Sequence, residues 1–173
     1  MGKQPYERNT DPNFWTGSNI DCNCGSFALD ITSWFSPYDN NDNYLEDDRT
    51  ELIRTMYYEG YSREDIMEVV LQKDQEEILL ACPWIEPVLF HEILPTDRVV
   101  AYRINIDFNE WDCSASFIDE DFHFRVRIGG LWFEKCGEED VQLCKEQDVT
   151  KIWRSTPTIL YDSNIVYFRF KEI

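Results

Sequence analysis

The chain has 173 residues, of which 43% are hydrophobic and 15% aromatic, a composition that excludes intrinsic disorder and predicts one domain with its own hydrophobic core. Its 34 acidic and 16 basic residues give a formal net charge of −18 at pH 7, which argues against direct binding to DNA or RNA, because neutralising phosphates needs clustered Lys and Arg. A basic partner, or a protein surface that normally holds nucleic acid, remains compatible with this charge, as does a plain self-repelling surface.

The N-terminal residues MGKQPYERNTDPNFW are polar and lack the apolar core of a signal peptide. No apolar run in the chain reaches the length that a membrane span needs. We therefore expect a cytoplasmic protein without membrane association, and in that compartment its six cysteines are not expected to form structural disulfides.

The first half of the chain predicts helices. After an irregular lead-in over residues 1–20, apolar side chains recur at helical spacing in CGSFALDITSWF, which predicts a short buried helix. Acidic residues open a later helix, and Ser62 followed by Asp65 resembles a capping box. The expected helices lie within residues 21–82 and cover residues 24–35, 46–58, the segment that follows Ser62, and 74–81.

The second half, residues 98–173, predicts strands. Four stretches are rich in β-branched and aromatic residues, some with alternating polarity. Helices followed by an antiparallel sheet define an α+β domain. The expected strands cover residues 98–106, 122–128, 131–135 and 165–171.

Gly129-Gly130 separates two of these stretches and predicts a two-residue hairpin turn. Pairing outward from this turn places Arg125 opposite Glu134 and His123 opposite Cys136, all on one face of the sheet. Glu134 is then diagonal to His123 and within reach of it. An imidazole and a carboxylate that share a face are what a general base and its orienting group require.

The chain has two histidines, and only one of them sits in a suggestive context. His91 lies between apolar residues in VLFHEILP and is interpreted as structural. His123 lies in DEDFHFR, where neighbouring acids favour the charged imidazolium. It is a candidate base, and the alternative is a sheet-surface histidine paired with an acid.

Cys24, in DCNCGSFAL, is the candidate nucleophile. It would open the first helix, where backbone N–H groups can hold an oxyanion, and Gly25 allows close backbone approach. Cys22 lies in the preceding loop and lacks this geometry. The C-x-C pair is followed by no second close pair, so we predict neither a metal site nor a cofactor. Cys82 and Cys113 are interpreted as small buried residues.

Three patches of the chain resemble papain-like and NlpC-type cysteine peptidases. NCGSFAL at 23–29 resembles their nucleophile segment, in which Asn-Cys or Cys-Gly precedes a buried helix. DFHFRVRIGGLWFEKCG at 121–137 is similar to a pattern of small papain-like proteins from phages and bacteria: D-[YF]-H-[FW]-x-R, a Gly-containing turn, then W-x-H-K-x-G. The closing YDSNIVYFRF resembles the terminal strand of that group. The patches follow the same order and span most of the chain.

The resemblance implies a single papain-like domain over residues 1–173, with N-terminal helices packed on a C-terminal antiparallel β-sheet. It implies Cys24 as the nucleophile and His123 as the base, and Glu134 is the candidate third residue. The chain departs from the pattern in two places, because Glu134 stands where the group often has His, and Cys136 replaces the usual Pro.

Two features of the implied site stay open. Glu134 either orients His123 or pairs with Arg125, in which case Asp121 or Asp162 would orient the histidine. Asn19 or Asn23 would supply a side-chain donor to the oxyanion. The tryptophans Trp15, Trp34 and Trp132 would line the cleft, although aromatic residues more often belong to the hydrophobic core.

Three functions are compatible with this sequence. The first is a thiol hydrolase, a peptidase or amidase that acts on a peptide or isopeptide bond of a peptide or protein substrate, in the host cytoplasm if the chain is phage-encoded. The second is an inactive acidic papain-like protein that binds a host protein, such as an anti-restriction or anti-CRISPR mimic of nucleic acid. The third is a peptidoglycan endopeptidase, which the anionic charge of wall polymers disfavours.

Overall fold

The computed structural model describes residues 23–31, 33–108, 118–136, 139–156 and 159–171. The lead-in over residues 1–20, with Trp15 and Asn19, lies outside the described residues, as do Cys22 and Cys113.

Within the described residues, three helices precede all of the strands, and a single-turn 3-10 helix follows the first strand. The helices are α1 (Cys24–Leu29), α2 (Glu46–Tyr58) and α3 (Arg63–Ala81), and the 3-10 helix is Phe90–Glu92. The strands are β1 (Ile85–Val88), β2 (Val99–Phe108), β3 (Ile118–Ile128), β4 (Leu131–Lys135), β5 (Val141–Leu143), β6 (Trp153–Thr156), β7 (Ile159–Tyr161) and β8 (Val166–Phe170).

Six strands form one antiparallel sheet in the order β1-β8-β2-β3-β4-β5, while β6 and β7 form a separate hairpin. The predicted α+β class is therefore confirmed. The four predicted strands are present, with β2 and β3 longer than expected. The short strands β1, β5, β6 and β7 were not predicted, because segments of three or four residues carry too little alternation to read.

The two faces of the sheet are covered differently. The helices cover one face, where Tyr102, Phe124 and Phe168 belong to the larger hydrophobic core. The opposite face carries a smaller core around Trp132, together with residues of the β6–β7 hairpin. Because strand residues alternate between faces, the even-numbered apolar residues of β2 and of residues 122–128 in β3 pack on the helix side, and the odd-numbered polar residues of the same ranges point to the hairpin side.

The hairpin at Gly129-Gly130 has the predicted register. Arg125 pairs with Glu134 and Ile128 with Leu131, and both glycines have the positive φ that this turn needs (59° and 82°).

Two helix predictions were wrong in extent. The first helix ends at Leu29 rather than at Phe35, because Asp30 caps it in the left-handed region with φ 60°. The stretches after Ser62 and over 74–81 form one continuous helix, α3, whose N-cap Ser62 accepts a hydrogen bond from the Asp65 N–H. Within the described ranges, no helix combines the length and apolarity that crossing a bilayer demands.

Candidate functional site

Cys24 is the first residue of α1, and its position is set by the N-cap residue Asn23. The Asn23 side-chain oxygen accepts hydrogen bonds from the Ser26 N–H (3.0 Å), the Ser26 hydroxyl (2.8 Å) and the Phe35 N–H (3.2 Å). Its amide nitrogen donates to the Phe35 carbonyl at 2.6 Å. Asn23 therefore ties the start of α1 to the loop that follows the helix, and this structural role engages the amide that was expected to bind an oxyanion.

Gly25 occupies a tightly packed position. A Cβ placed there would lie 3.0 Å from the Phe35 ring, 3.1 Å from the Phe124 ring and 3.2 Å from the Phe35 carbonyl oxygen. Any side chain at Gly25 would therefore require these neighbours to shift by a few tenths of an ångström. The predicted need for close backbone approach is met here by packing against the protein rather than against a substrate.

The first helix packs against the two strands of the Gly129-Gly130 hairpin. The described pairing of β3 with β4 ends at Arg125 and Glu134, and α1 contacts both strands. Cys24 belongs to the helix-side core, and its thiol lies close enough to His123 to raise the pKa of the histidine.

His123 is 3% exposed, and its side chain makes a polar contact with Glu134. Its Nε2 lies 3.0 Å from Glu134 Oε2, so Nδ1 is the ring nitrogen left for Cys24. Burial alone lowers the pKa of His123, but hydrogen bonds to Cys24 and Glu134, together with their charges, raise it to about 9. The imidazolium form is thus stabilised by the two groups that a thiol–histidine–carboxylate site requires.

Glu134 contacts both His123 and Arg125, the two partners between which the sequence left a choice. Its Oε2 accepts from His123 Nε2 and from Arg125 Nε, each at 3.0 Å. Burial raises the pKa of Glu134, but the hydrogen bond from His123 and the charge of Arg125 outweigh it and lower the pKa below its usual value. Glu134 is therefore a carboxylate held in place by an arginine and directed at the histidine.

The two alternative orienting acids are occupied elsewhere. Asp121 accepts a hydrogen bond from the Tyr161 hydroxyl at 2.7 Å, and Asp162 forms an ion pair with Arg63 at 2.9 Å. Glu134 is the carboxylate that lies against His123.

The β6–β7 hairpin covers the histidine with aromatic rings that the sequence analysis missed. Tyr161 stacks on the His123 ring at 5.2 Å between centroids, and Trp153 meets it edge-on at 6.0 Å. The Arg125 guanidinium lies 4.6 Å from the centroid of the Trp153 ring. The short strands that carry these rings gave no clear pattern, so only the fold reveals the contacts.

Of the tryptophans that were expected to line the cleft, Trp15 lies outside the described residues, and neither Trp34 nor Trp132 stacks on the histidine. Trp132 is buried in the smaller core, and Trp34 is half-exposed on the loop after α1. Neither is among the described residues that line the cleft beside Glu134.

A cleft of about 410 Å³ opens beside the Arg125–Glu134 pair. It gives solvent and small groups access to the carboxylate end of the site. Its rim is formed by charged and apolar side chains of the β4–β5 region and of the segment that leads into β6. The described lining residues are Arg125, Glu134, Cys136, Glu139, Gln142, Leu143, Lys145, Glu146, Ile152 and Arg154.

The described thiols fall into distinct environments. Burial raises the pKa of the Cys82 and Cys144 thiols to about 12, which makes both poor nucleophiles. Cys136 instead is half-buried, and its sulfur belongs to a group with one ligand atom each from His123 and Glu134, all within 4.8 Å of one another. The sequence predicted no metal site, but the fold brings these three potential ligands together.

No family model matches the chain, and neither the curated proteins nor the solved structures contain a match to it. Functional inference for this protein therefore rests on the geometry of its own residues.

Proposed function

We propose that the protein is a papain-like thiol hydrolase, a peptidase or amidase, with Cys24 as nucleophile, His123 as general base and acid, and Glu134 as the group that orients His123. The observation that carries the proposal is the 3.0 Å contact between His123 and Glu134, together with a Cys24 thiol close enough to raise the pKa of His123. Thiolate nucleophiles are activated by an adjacent imidazole that a third group holds in orientation.

In the proposed reaction His123 accepts the Cys24 proton, and the thiolate attacks the carbonyl carbon of an amide. The resulting oxyanion is stabilised by the backbone N–H groups of Cys24 and Gly25 at the start of α1, since the N–H of Ser26 already donates to Asn23. His123 then donates its proton to the leaving amine, and the carbon–nitrogen bond breaks to leave a thioester on Cys24. Water, deprotonated by His123, hydrolyses this thioester and restores the free thiol.

Glu134 contributes by orientation and charge. It fixes the ring of His123 through Nε2 and stabilises the imidazolium that forms when Cys24 is deprotonated. Arg125 holds the same carboxylate oxygen, which keeps Glu134 ionised and prevents its rotation away from the histidine.

The test is the rate at which iodoacetamide alkylates Cys24 in the full chain near pH 6, read by mass spectrometry of the Cys24 peptide. We expect fast alkylation, and a fall of about 100-fold in His123→Ala, because an unassisted thiol has a pKa of about 8.5 and is almost wholly protonated at that pH. His91→Ala is the matched control, since His91 is exposed on the 3-10 helix. Equal rates in the wild type and His123→Ala would remove the basis of the proposal.

The second candidate function, an acidic protein that binds a host protein, is favoured by the outward faces of α2 and α3. Exposed acidic side chains crowd these two helices and account for much of the negative charge in the described residues. They are Glu46, Asp47, Asp48, Glu51, Glu59, Glu64, Asp65, Glu68 and Glu76. Charge-neutralising variants here would abolish such binding and leave Cys24 alkylation unchanged, whereas Cys24→Ala would leave the binding intact.

A further inference from the structure

The thiol of Cys136 lies beside the histidine–glutamate pair but has no part in the proposed hydrolysis. Cys136 follows β4 directly, and its sulfur, a His123 ring nitrogen and a Glu134 carboxylate oxygen lie within 4.8 Å of one another. Three different side chains, from β3, from β4 and from the residue that follows β4, thus bring their donor atoms to one place. No catalytic step described above needs that convergence.

The donor set is one that selects zinc. A thiolate, an imidazole and a carboxylate are all common zinc ligands, and three protein ligands leave a fourth tetrahedral position for water. Mg²⁺ and Ca²⁺ prefer all-oxygen sites, and a site with sulfur and nitrogen donors disfavours them. We propose that His123, Glu134 and Cys136 form a Zn²⁺ site, and that zinc bound there reversibly inhibits the hydrolase.

The carboxylate of Glu134 can serve this site without losing its arginine. Both hydrogen bonds from His123 and Arg125 go to Oε2, and no described residue donates to Oε1. Oε1 can therefore bind the metal while Arg125 continues to hold Oε2. An arginine on the outer oxygen of a ligating carboxylate fixes its orientation, as hydrogen-bonded groups behind metal ligands generally do.

The site is open to ions from solution. Glu134 and Cys136 line the cleft of about 410 Å³ beside the histidine, so a hydrated ion reaches the ligands and keeps a water molecule on the cleft side. The net charge of −18 raises the local concentration of cations around the protein. Binding releases the Cys136 proton to the solvent, since the thiolate is the form that ligates zinc.

Inhibition follows from the ligand role of His123. When Nε2 of His123 binds zinc, this nitrogen no longer donates a hydrogen bond to Glu134. The ring can then no longer become the imidazolium that stabilises the Cys24 thiolate. This inhibitory effect rests on the proposed function, whereas the binding of zinc does not.

The first experiment measures binding alone. The full chain is first freed of metal with a chelator and dialysed. One sample is titrated with Zn²⁺ in competition with a chromophoric chelator, which gives the affinity. A second sample is titrated with Co²⁺, and the thiolate-to-cobalt charge-transfer absorption is recorded. We expect one equivalent bound, and in Cys136→Ser a loss of affinity on the order of 100-fold together with loss of the charge-transfer band. Cys82→Ala, which removes a buried thiol of the helix-side core, should change neither the zinc affinity nor the charge-transfer band. Absence of one-equivalent binding, or unchanged affinity in Cys136→Ser, overturns the site.

The second experiment measures inhibition separately. Zinc should slow Cys24 alkylation in the wild type by at least 10-fold, a chelator should restore the rate, and Cys136→Ser should resist zinc at the same concentration. Bound zinc that leaves the alkylation rate unchanged overturns the inhibitory role. Slow alkylation of the metal-free wild type would instead defeat the proposed hydrolase, while the titration would still report on the metal site.

Discussion

Two arginine–carboxylate pairs lie on opposite faces of the same sheet, and their surroundings differ. On the helix side, Arg49 Nη2 pairs with Asp74 at 2.9 Å, and both side chains are fully buried. The hydroxyls of Tyr44 and Tyr102 also donate to Asp74, at 3.0 and 2.6 Å. On the hairpin side, Arg125 pairs with Glu134 at 3.0 Å, but the third partner there is a histidine.

The difference shows what distinguishes a structural ion pair from a candidate functional one. Asp74 is enclosed by helices and saturated by donors that do not titrate near neutral pH, so its role is to join α2, α3 and β2. Glu134 faces a cleft and directs its charge at a group that gains and loses a proton. Burial and ion pairing are common to both pairs, while a titratable partner and access from solution belong only to the second.

The largest effect is expected on the helix side. Asp74→Asn should lower the free energy of unfolding by about 3–5 kcal/mol, because it leaves the buried Arg49 charge without its carboxylate. Urea unfolding monitored by circular dichroism measures this loss. Asp47→Asn, at an exposed position in the first turn of α2, should cost less than about 1 kcal/mol. A similar loss in both variants would mean that the buried pair does not join the helices to the sheet.

The second effect concerns the pH dependence of stability on the hairpin side. The pKa of His123 is raised to about 9 in the folded protein, so protonation of His123 stabilises the folded state. This contribution is fully present below about pH 6.5. That contribution is lost as the pH rises through about 9. With chelator present, the destabilisation caused by His123→Ala should therefore be larger at pH 6 than at pH 9.5, by up to about 3 kcal/mol.

Unfolding of His91→Ala at the same two pH values is the control for this prediction. Taking the difference between variant and wild type at each pH cancels the titration of the rest of the chain. A destabilisation by His123→Ala that is constant with pH, or larger at pH 9.5, would show that the histidine is not held as an imidazolium.

The third effect separates the role of Glu134 from that of other acids in the cleft. Glu134→Gln should slow Cys24 alkylation near pH 6 by about 10- to 100-fold, the equivalent of losing a hydrogen bond to a charged group. Glu139→Gln, which alters an exposed acid in the same cleft, should leave the rate unchanged. Similar slowing by both substitutions would indicate that the overall negative charge of the cleft, rather than the orientation of His123, controls the alkylation rate.

The smallest effect tests the aromatic cover of the histidine. Tyr161→Phe removes the hydroxyl that donates to Asp121 but retains the ring that stacks on His123. We expect a loss of about 1 kcal/mol in the free energy of unfolding and no more than a slight change in Cys24 alkylation. A large fall in the alkylation rate would show that the Tyr161–Asp121 hydrogen bond, rather than the stacked ring, positions the histidine.

The hairpin was the most predictable part of the candidate site. Two glycines flanked by alternating residues specify a tight turn, and the turn dictates that Arg125 faces Glu134 and that His123 is diagonal to it. Local rules therefore placed Glu134 within reach of both His123 and Arg125, but they did not choose between these two partners. The helix start at Cys24 was equally local, because Asn23 and Ser26 cap it from within the same short segment.

Other parts of the site depended on long-range packing. Asn23 was one of two asparagines proposed to bind an oxyanion, but its amide donates to the carbonyl of Phe35, which lies twelve residues away. Trp132 was expected to wall the cleft and is buried under the hairpin, whereas Trp153 and Tyr161 take positions beside His123. Strands as short as β6 and β7 have no periodicity to detect, and their docking on the sheet depends on contacts between distant segments.

The α+β class and the β3–β4 register could be predicted from the sequence, because both follow from alternation and turn chemistry within about 20 residues. The fold was needed to show that Glu134 contacts both His123 and Arg125, that the Cys24 thiol lies close enough to raise the pKa of His123, and that Cys136 joins the same cluster. The physical reason is that these contacts depend on how a helix and a hairpin pack against a sheet, and packing is set by the volume and shape of the whole core rather than by any local pattern.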